Sequence, residues 1–203
     1  MNQKSKFSPR QIHTEALKST LASSFNPVKG MDFRMIDGNR FLHKFHHTID
    51  RDRVVEGAPL ALNKNLLVLH LVGENENPVT VNLDHCDFYI HVYNLPVGKM
   101  TKEMAAFIGD KIGIFRNVGI DSDGVIWGSN LRIPVSINVT KPLPRVLKII
   151  SVFRDEIFVT FKYGSLPNFC YLYGMLGHLS KACELCFEPS FSDLSDNNPM
   201  GLG

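Results

Sequence analysis

Apolar residues recur at helical spacing at Ile12, Ala16, Leu17 and Leu21, and Ser8-Pro9-Arg10-Gln11 precedes them. Serine as N-cap, proline at the first helical position and glutamine at the capping-box position predict a helix start there. Asn26-Pro27 ends it. Met31–Ile36 and Arg40–His46 then read as strands around Asp37-Gly38-Asn39, a turn tolerant of positive φ. Asp50 to Glu56 is predicted as a short helix closed by Gly57, and Leu66–Val72 is a dense apolar run of strand length. Phe88–Tyr93 is rich in β-formers and stops at Asn94-Leu95-Pro96. Thr101 predicts an N-cap for a helix through Ile112, with Glu103 in its first turn and Gly113 after its end. Strands are expected at Phe115–Ile120 and Leu131–Val139, and a hairpin from Val146–Val152 and Ile157–Tyr163.

Helix and strand thus alternate on short loops in two halves of similar order. The pattern predicts an α+β fold of antiparallel sheets with helices packed on one side: two β-α-β-like halves plus a hairpin, ending in a compact Cys/His segment. The expected domain limits are 8–165 for the α+β part and 166–186 for the Cys/His segment. Residues 187–203, polar and rich in Ser, Asp, Pro and Gly, are expected to be a disordered tail. Met1 to Lys6 is polar and reads as a frayed start.

Composition narrows the function classes. Of 203 residues, 44% are hydrophobic and 21% charged, an ordinary globular balance. No apolar run reaches membrane-spanning length, and the first twenty residues lack a signal-peptide core, so an intracellular protein of nucleus or cytoplasm, without a membrane partner, is expected. The net charge of +2 argues little, but its distribution is uneven. Residues 130–165 carry six Lys/Arg against two acids, and residues 1–60 ten against six. Neither Gly-x-Gly-x-x-Gly nor a P-loop occurs, and no catalytic constellation stands out, so an enzyme is not expected.

Three of the four cysteines crowd near the end, whereas Cys86 sits alone in a strand-like stretch and reads as a core residue. Cys170, His178 and Cys183 stand at three of the four ligand positions of a C-x2-C-x4-H-x4-C zinc knuckle, with Gly174 and Gly177 where the chain must turn. Such a site holds zinc tetrahedrally at about 2.0–2.3 Å. The second ligand position is Tyr173, a poor ligand at neutral pH because a phenol titrates near about 10. Three readings remain open. Cys186 supplies a replacement C-x2-C with Cys183; or three ligands hold zinc weakly with water in the fourth position; or the site is dead and Tyr173 packs as an aromatic.

Phe169 and Tyr171, beside the apolar Met175-Leu176, suit a patch on which unpaired bases stack, with Lys181, Lys162 and Arg154 as the nearest phosphate-holding candidates. The alternative is that these side chains pack on the hairpin. Ile90 to Leu95 resembles the first-strand signature of the RNA-recognition motif, with His91 at the aromatic position. The companion signature is missing from Asn130–Ile137, and strand core is the better reading for most of the stretch. His43 shares a strand face with Phe41 and Phe45 while His46 points opposite, so the His43, His46 and His47 group does not converge on a metal.

A series of motifs adds to this: Arg40-Phe-Leu-His-Lys-Phe45, Asp50 to Gly57, Asn65 to Leu69, Phe88 to Thr101, Ile108-Gly-x-x-Ile-Gly113, Trp127, Leu131 to Val135, Val139-Thr-Lys-Pro-Leu143, Phe161-Lys-Tyr163 and Leu166-Pro-Asn-Phe-Cys170. Over about residues 10–186 the chain resembles a plant domain of unknown function found in retrotransposon-derived proteins, where it precedes a C-x2-C-x4-H-x4-C knuckle. The resemblance implies a coat-like protein of LINE-type elements that binds single-stranded RNA or DNA and zinc, with Cys170, His178 and Cys183 as ligands. Relative to that family the chain is expected to be truncated before the first helix, without the usual opening strand. The expected function is therefore a nucleic-acid-binding module with a zinc-knuckle remnant. The alternative is a protein-interaction or self-assembly domain that has lost both activities.

Overall fold

The computed structural model describes residues 2–6, 14–37, 39–116, 130–150 and 156–183. The first half builds one five-stranded antiparallel sheet. Its strands are β1 (Asn2–Lys6), β2 (Met31–Asp37), β3 (Arg40–Phe45), β4 (Leu60–Leu62) and β5 (Asn65–Val72), in the order β2-β3-β1-β5-β4. The polar N-terminus is therefore not a frayed start, and the opening strand is present. β1 lies between β3 and β5, with Lys4 opposite both Leu42 and His70. Two neighbours satisfy its backbone groups, and this ladder stabilises a strand whose own sequence has no apolar pattern.

Helices α1 (Thr14–Phe25) and α2 (Thr48–Glu56) cover one face of this sheet. Leu17, Leu21 and Phe25 of α1 and Val54 of α2 pack with Phe41 and Phe45 of β3 and Leu67 of β5. The helix start proposed at Ser8 to Gln11 lies outside the described residues, as does Gly38 of the first hairpin turn. His47 caps α2 by accepting the Ile49 N–H at 3.2 Å. Gly57 does end α2, but in a right-handed conformation with φ of −75° rather than the left-handed one common at C-caps. Asp50 is buried and accepts N–H groups of Val28 and Lys29 at 3.0 and 2.9 Å, tying α2 to the loop after α1. Those two donors, which favour the ionised form, hold its carboxyl below the usual range.

The second half repeats the plan. Strands β6 (His85–Tyr93), β7 (Ile114–Phe115), β8 (Leu131–Asn138), β9 (Val146–Ile150) and β10 (Glu156–Tyr163) form a sheet ordered β7-β8-β6-β10-β9. Each half thus places its first strand in the centre, between its third and its last long strand, and carries a short strand on the outer edge of that last one. The first half is a complete split β-α-β unit with two helices, while the described part of the second half has α3 (Lys102–Ile112) and no counterpart of α2. The hairpin expected over 146–163 is part of this second sheet, since β10 also pairs with β6.

Alternation along β6 decides what faces what. Cys86, Phe88, Ile90 and Val92 point to α3 and meet Ile137, Val135, Ile133 and Leu131 of β8 across the ladder. Ala105, Ile108 and Ile112 of α3 close this core. Cys86 is the core residue the sequence suggests, its thiol pushed up to about 12 by burial. The α3 start also follows expectation: Thr101 Oγ1 accepts the Met104 N–H at 3.3 Å. Among the described residues no helix is long and apolar enough to cross a membrane.

Gly113 is needed for space, not for backbone freedom. Its φ of −178° is ordinary extended chain, but an added Cβ would lie 2.4 Å from the Ser136 carbonyl oxygen and 2.8 Å from Val135 Cγ1. Gly113→Ala is expected to cost about 1–3 kcal/mol by forcing α3 and β7 away from β8. Urea unfolding of the two proteins would measure it, and an unchanged midpoint would show that β8 yields freely at this point.

Candidate metal centre and its surroundings

The chain leaves β10 and makes a two-strand ribbon, β11 (Phe169–Cys170) with β12 (Met175–Leu176), around a four-residue turn. Gly174 donates its N–H to the Cys170 carbonyl at 2.7 Å and Gly177 donates to Asn168 at 2.8 Å. Both glycines have positive φ, +73° and +102°, a region other residues enter at a cost. The turn residues therefore wrap the chain back so that His178 and then Cys183 return to Cys170. A short 3-10 turn, Ser180–Ala182, delivers Cys183.

The donor atoms of Cys170, His178 and Cys183 all lie within 4.8 Å of one another. Both cysteines are buried, neither in a disulfide. Among the described residues His178 Nε2 is buried without a hydrogen-bond partner, an arrangement that costs energy unless something else binds that atom. Tetrahedral zinc ligands at about 2.0–2.3 Å lie roughly 3.5 Å from one another. The three donors would need to close by only about 1.3 Å to reach that geometry. Two thiols and an imidazole also match zinc's preference for sulfur and nitrogen, so the residues present fit the ion. Tyr173 occupies the second ligand position, half-buried in the turn. Cys186 lies outside the described residues.

This segment is not a free-standing module. Phe169 is only 6% exposed and belongs to the core of the second half, and Leu176 packs against the same core. The Leu143 N–H donates to Gly174 at 2.8 Å, and Asn168 reaches Asn65 of the first half at 3.3 Å. Arg145 clamps the ribbon from the strand side: it donates to the Tyr171 carbonyl, with its guanidinium 5.2 Å from the Phe169 ring centre and 5.7 Å from that of Tyr171. The Tyr163 hydroxyl donates to the Pro144 carbonyl nearby, and burial pushes that phenol's pKa up.

The aromatic candidates are therefore split. Phe169 is corrected from a base-stacking residue to a core residue, because its ring faces Leu176 and the β-sheet rather than solvent. Tyr171 is 63% exposed, set edge-on to Phe169 at 5.0 Å, and stands at the surface with Leu179 and Lys181. Lys162 and His91 are not in the ribbon but sit together on the second sheet, opposite each other in the β10–β6 ladder. Arg154 lies outside the described residues. His43, His46 and His47 do not gather: the first is buried, the second faces Asp32 at 3.2 Å and the third caps α2.

Sequence reasoning missed Arg145, Tyr89, Tyr93 and Arg132. The basic excess over 130–165 contained the signal for both arginines. Strict alternation through Phe88–Tyr93 contained it for the tyrosines, which share a face with His91.

The zinc knuckle family model matches residues 137–185, a span that holds the Cys170, His178 and Cys183 cluster together with β9, β10 and the Arg145 clamp. The C-terminal segment is thus similar to a zinc knuckle. No curated protein matches the chain. A crystal structure of the first two RRM domains of yeast poly(U)-binding protein resembles it at 12% identity, over 81% of this chain and 99% of that chain, with a TM-score of 0.29.

Proposed function

We propose that the chain is a non-enzymatic module of retrotransposon origin, acting inside the cell, that binds single-stranded RNA or DNA and carries a weakened zinc site. The observation that carries the reading is the convergence of Cys170, His178 and Cys183 within a segment matched by the zinc knuckle family model. The ordered motifs from Arg40 to Cys170 support the origin. In this reading zinc is held by those three residues with the fourth position open to water, and the ion supplies a cross-link between the ribbon and the 3-10 turn. Tyr171 offers a ring for an unpaired base, and Lys181, exposed next to the Ser180 whose hydroxyl accepts the Tyr171 N–H at 2.9 Å, offers a cation for phosphate.

Binding of a labelled single-stranded oligonucleotide, followed by anisotropy at several salt concentrations, tests the function. If three lysines or arginines engage phosphates, log K should fall against log salt with a slope of about −2. That corresponds to a loss of roughly 15-fold between 50 and 200 mM salt. Binding that ignores salt, or no binding at all together with concentration-dependent self-association, would favour the protein-assembly alternative.

A further inference from the structure

The face of the second sheet turned away from α3 has a composition that the knuckle does not account for. On β6 it presents Tyr89, His91 and Tyr93, and the ladders set Arg132 and Lys162 on either side of His91. Phe158 of β10 and Lys148 of β9 extend the same face, opposite each other in their own ladder. Tyr89, His91 and Tyr93 are half-buried, so each keeps part of its ring surface uncovered, and among the described residues no helix packs on this side of the sheet.

The outward tyrosine and phenylalanine rings each carry a cation. The Arg132 guanidinium lies 3.9 Å from the centre of the Tyr89 ring, Lys162 Nζ 4.9 Å from that of Tyr93, and Lys148 Nζ 5.8 Å from that of Phe158, which is 53% exposed. His91 is oriented by Asn130, Nδ1 to Oδ1 at 2.8 Å. Glu156 pairs with Lys148, and Asp87, at the far end of β6, pairs with Arg116. Among the described residues neither Arg132 nor Lys162 has a carboxylate partner, so the middle of the face is net positive.

We infer that this face is a second nucleic-acid surface, a stacking platform on which unpaired bases of a single strand lie against Tyr89, His91 and Tyr93 while Arg132 and Lys162 hold the phosphates. The inference rests on the reading of the chain as a single-strand binder and says where most of that binding resides. Charge complementarity selects the occupant: flat rings alternating with unneutralised cations match a polyanion whose bases are unpaired, whatever their sequence. Duplex nucleic acid, with its bases already stacked, could use the cations but not the rings.

The test uses the full chain and a short single-stranded RNA carrying 2-aminopurine, whose fluorescence is quenched when the base stacks. Tyr93→Ala and Lys162→Gln are each expected to weaken binding about tenfold, and Tyr93→Ala to relieve the quenching. Tyr93→Phe, which keeps the ring, should bind as the parent does and controls for a purely structural loss. Lys18→Gln, at an exposed position of α1 in the first half, should bind as the parent does. If the parent binds but neither Tyr93→Ala nor Lys162→Gln weakens it, the platform is wrong and the knuckle reading stands. If the parent does not bind single strands, both fall together.

Discussion

Tyr173→Cys is expected to raise zinc affinity by about 10²–10³-fold, converting a three-ligand site into a complete one. A full structural zinc site is worth roughly 10–16 kcal/mol in apparent free energy, or about 2.5–4 kcal/mol for each of its four ligands. The backbone needed to use a thiolate at 173 is already in place: Gly174 closes the turn onto the Cys170 carbonyl at 2.7 Å with φ of +73°. A thiolate three residues after Cys170 would therefore complete the coordination without a new loop, whereas the phenol there stays protonated at neutral pH. Competition against a chromophoric chelator compares the two proteins directly. Equal, tight binding by both would overturn the three-ligand reading and assign the fourth position to Cys186, which Cys186→Ser would then expose as a loss of affinity.

The tolerance of the missing ligand has a structural basis. An isolated knuckle has almost no core, so metal binding and folding are one event. Here Phe169 and Leu176 are anchored in the second half's core and Arg145 clamps the ribbon, so the turn has supports that do not depend on zinc. Zinc removal is then expected to loosen the segment around His178 rather than to unfold the chain. This separates the two properties that spacing alone joins: the Cys/His pattern matches a zinc knuckle, while the burial of Phe169 shows what anchors the segment independently of any metal.

Those two kinds of information also explain what could be read in advance. The Thr101 cap, the end of α3 and the strand alternation of Phe88–Tyr93 are local facts, set by side chains within a few residues, and the fold follows them. β1 was not legible because Asn2–Lys6 has no apolar period; its place comes from the open edges of β3 and β5, two partners distant in sequence. The choice between the two readings of Phe169 was not legible for the same reason. An aromatic beside a ligand cysteine either stacks a base or fills a core, and only the long-range packing against Leu176 and the sheet decides between them. The ligand cluster was legible because chelation fixes spacing directly. The Tyr89, His91 and Tyr93 face was half-visible: alternation put the three together, but the cations that make it a surface of one chemistry arrive from β8 and β10.

Acid is expected to destabilise the first half through His43, by about 3 kcal/mol in full. His43 is completely buried on the helix face of β3 between Phe25 and Phe33, with ring centres at 5.4 and 5.3 Å. Burial among these rings lowers its pKa from 6.5 to about 4, because the imidazolium would lose its hydration there. Well above pH 6.5 the imidazole is neutral in both states, and the contribution to stability is complete. As the pH falls below 6.5 the unfolded state takes up a proton that the folded state refuses until near pH 4, so stability drops through that interval and levels off below it. A span of about 2.5 pK units corresponds to roughly 3 kcal/mol. Asp50, Glu76 and Glu103 also have lowered pKa values and add their own losses as acid protonates them, so the parent's profile alone is ambiguous. His43→Leu removes one titration and keeps the others. Chemical unfolding of parent and variant at pH 7 and pH 4.5 should show the parent losing about 2–3 kcal/mol more than the variant. Parallel losses in the two proteins would mean that His43 is protonated without leaving the core, and that acid acts through the carboxylates alone.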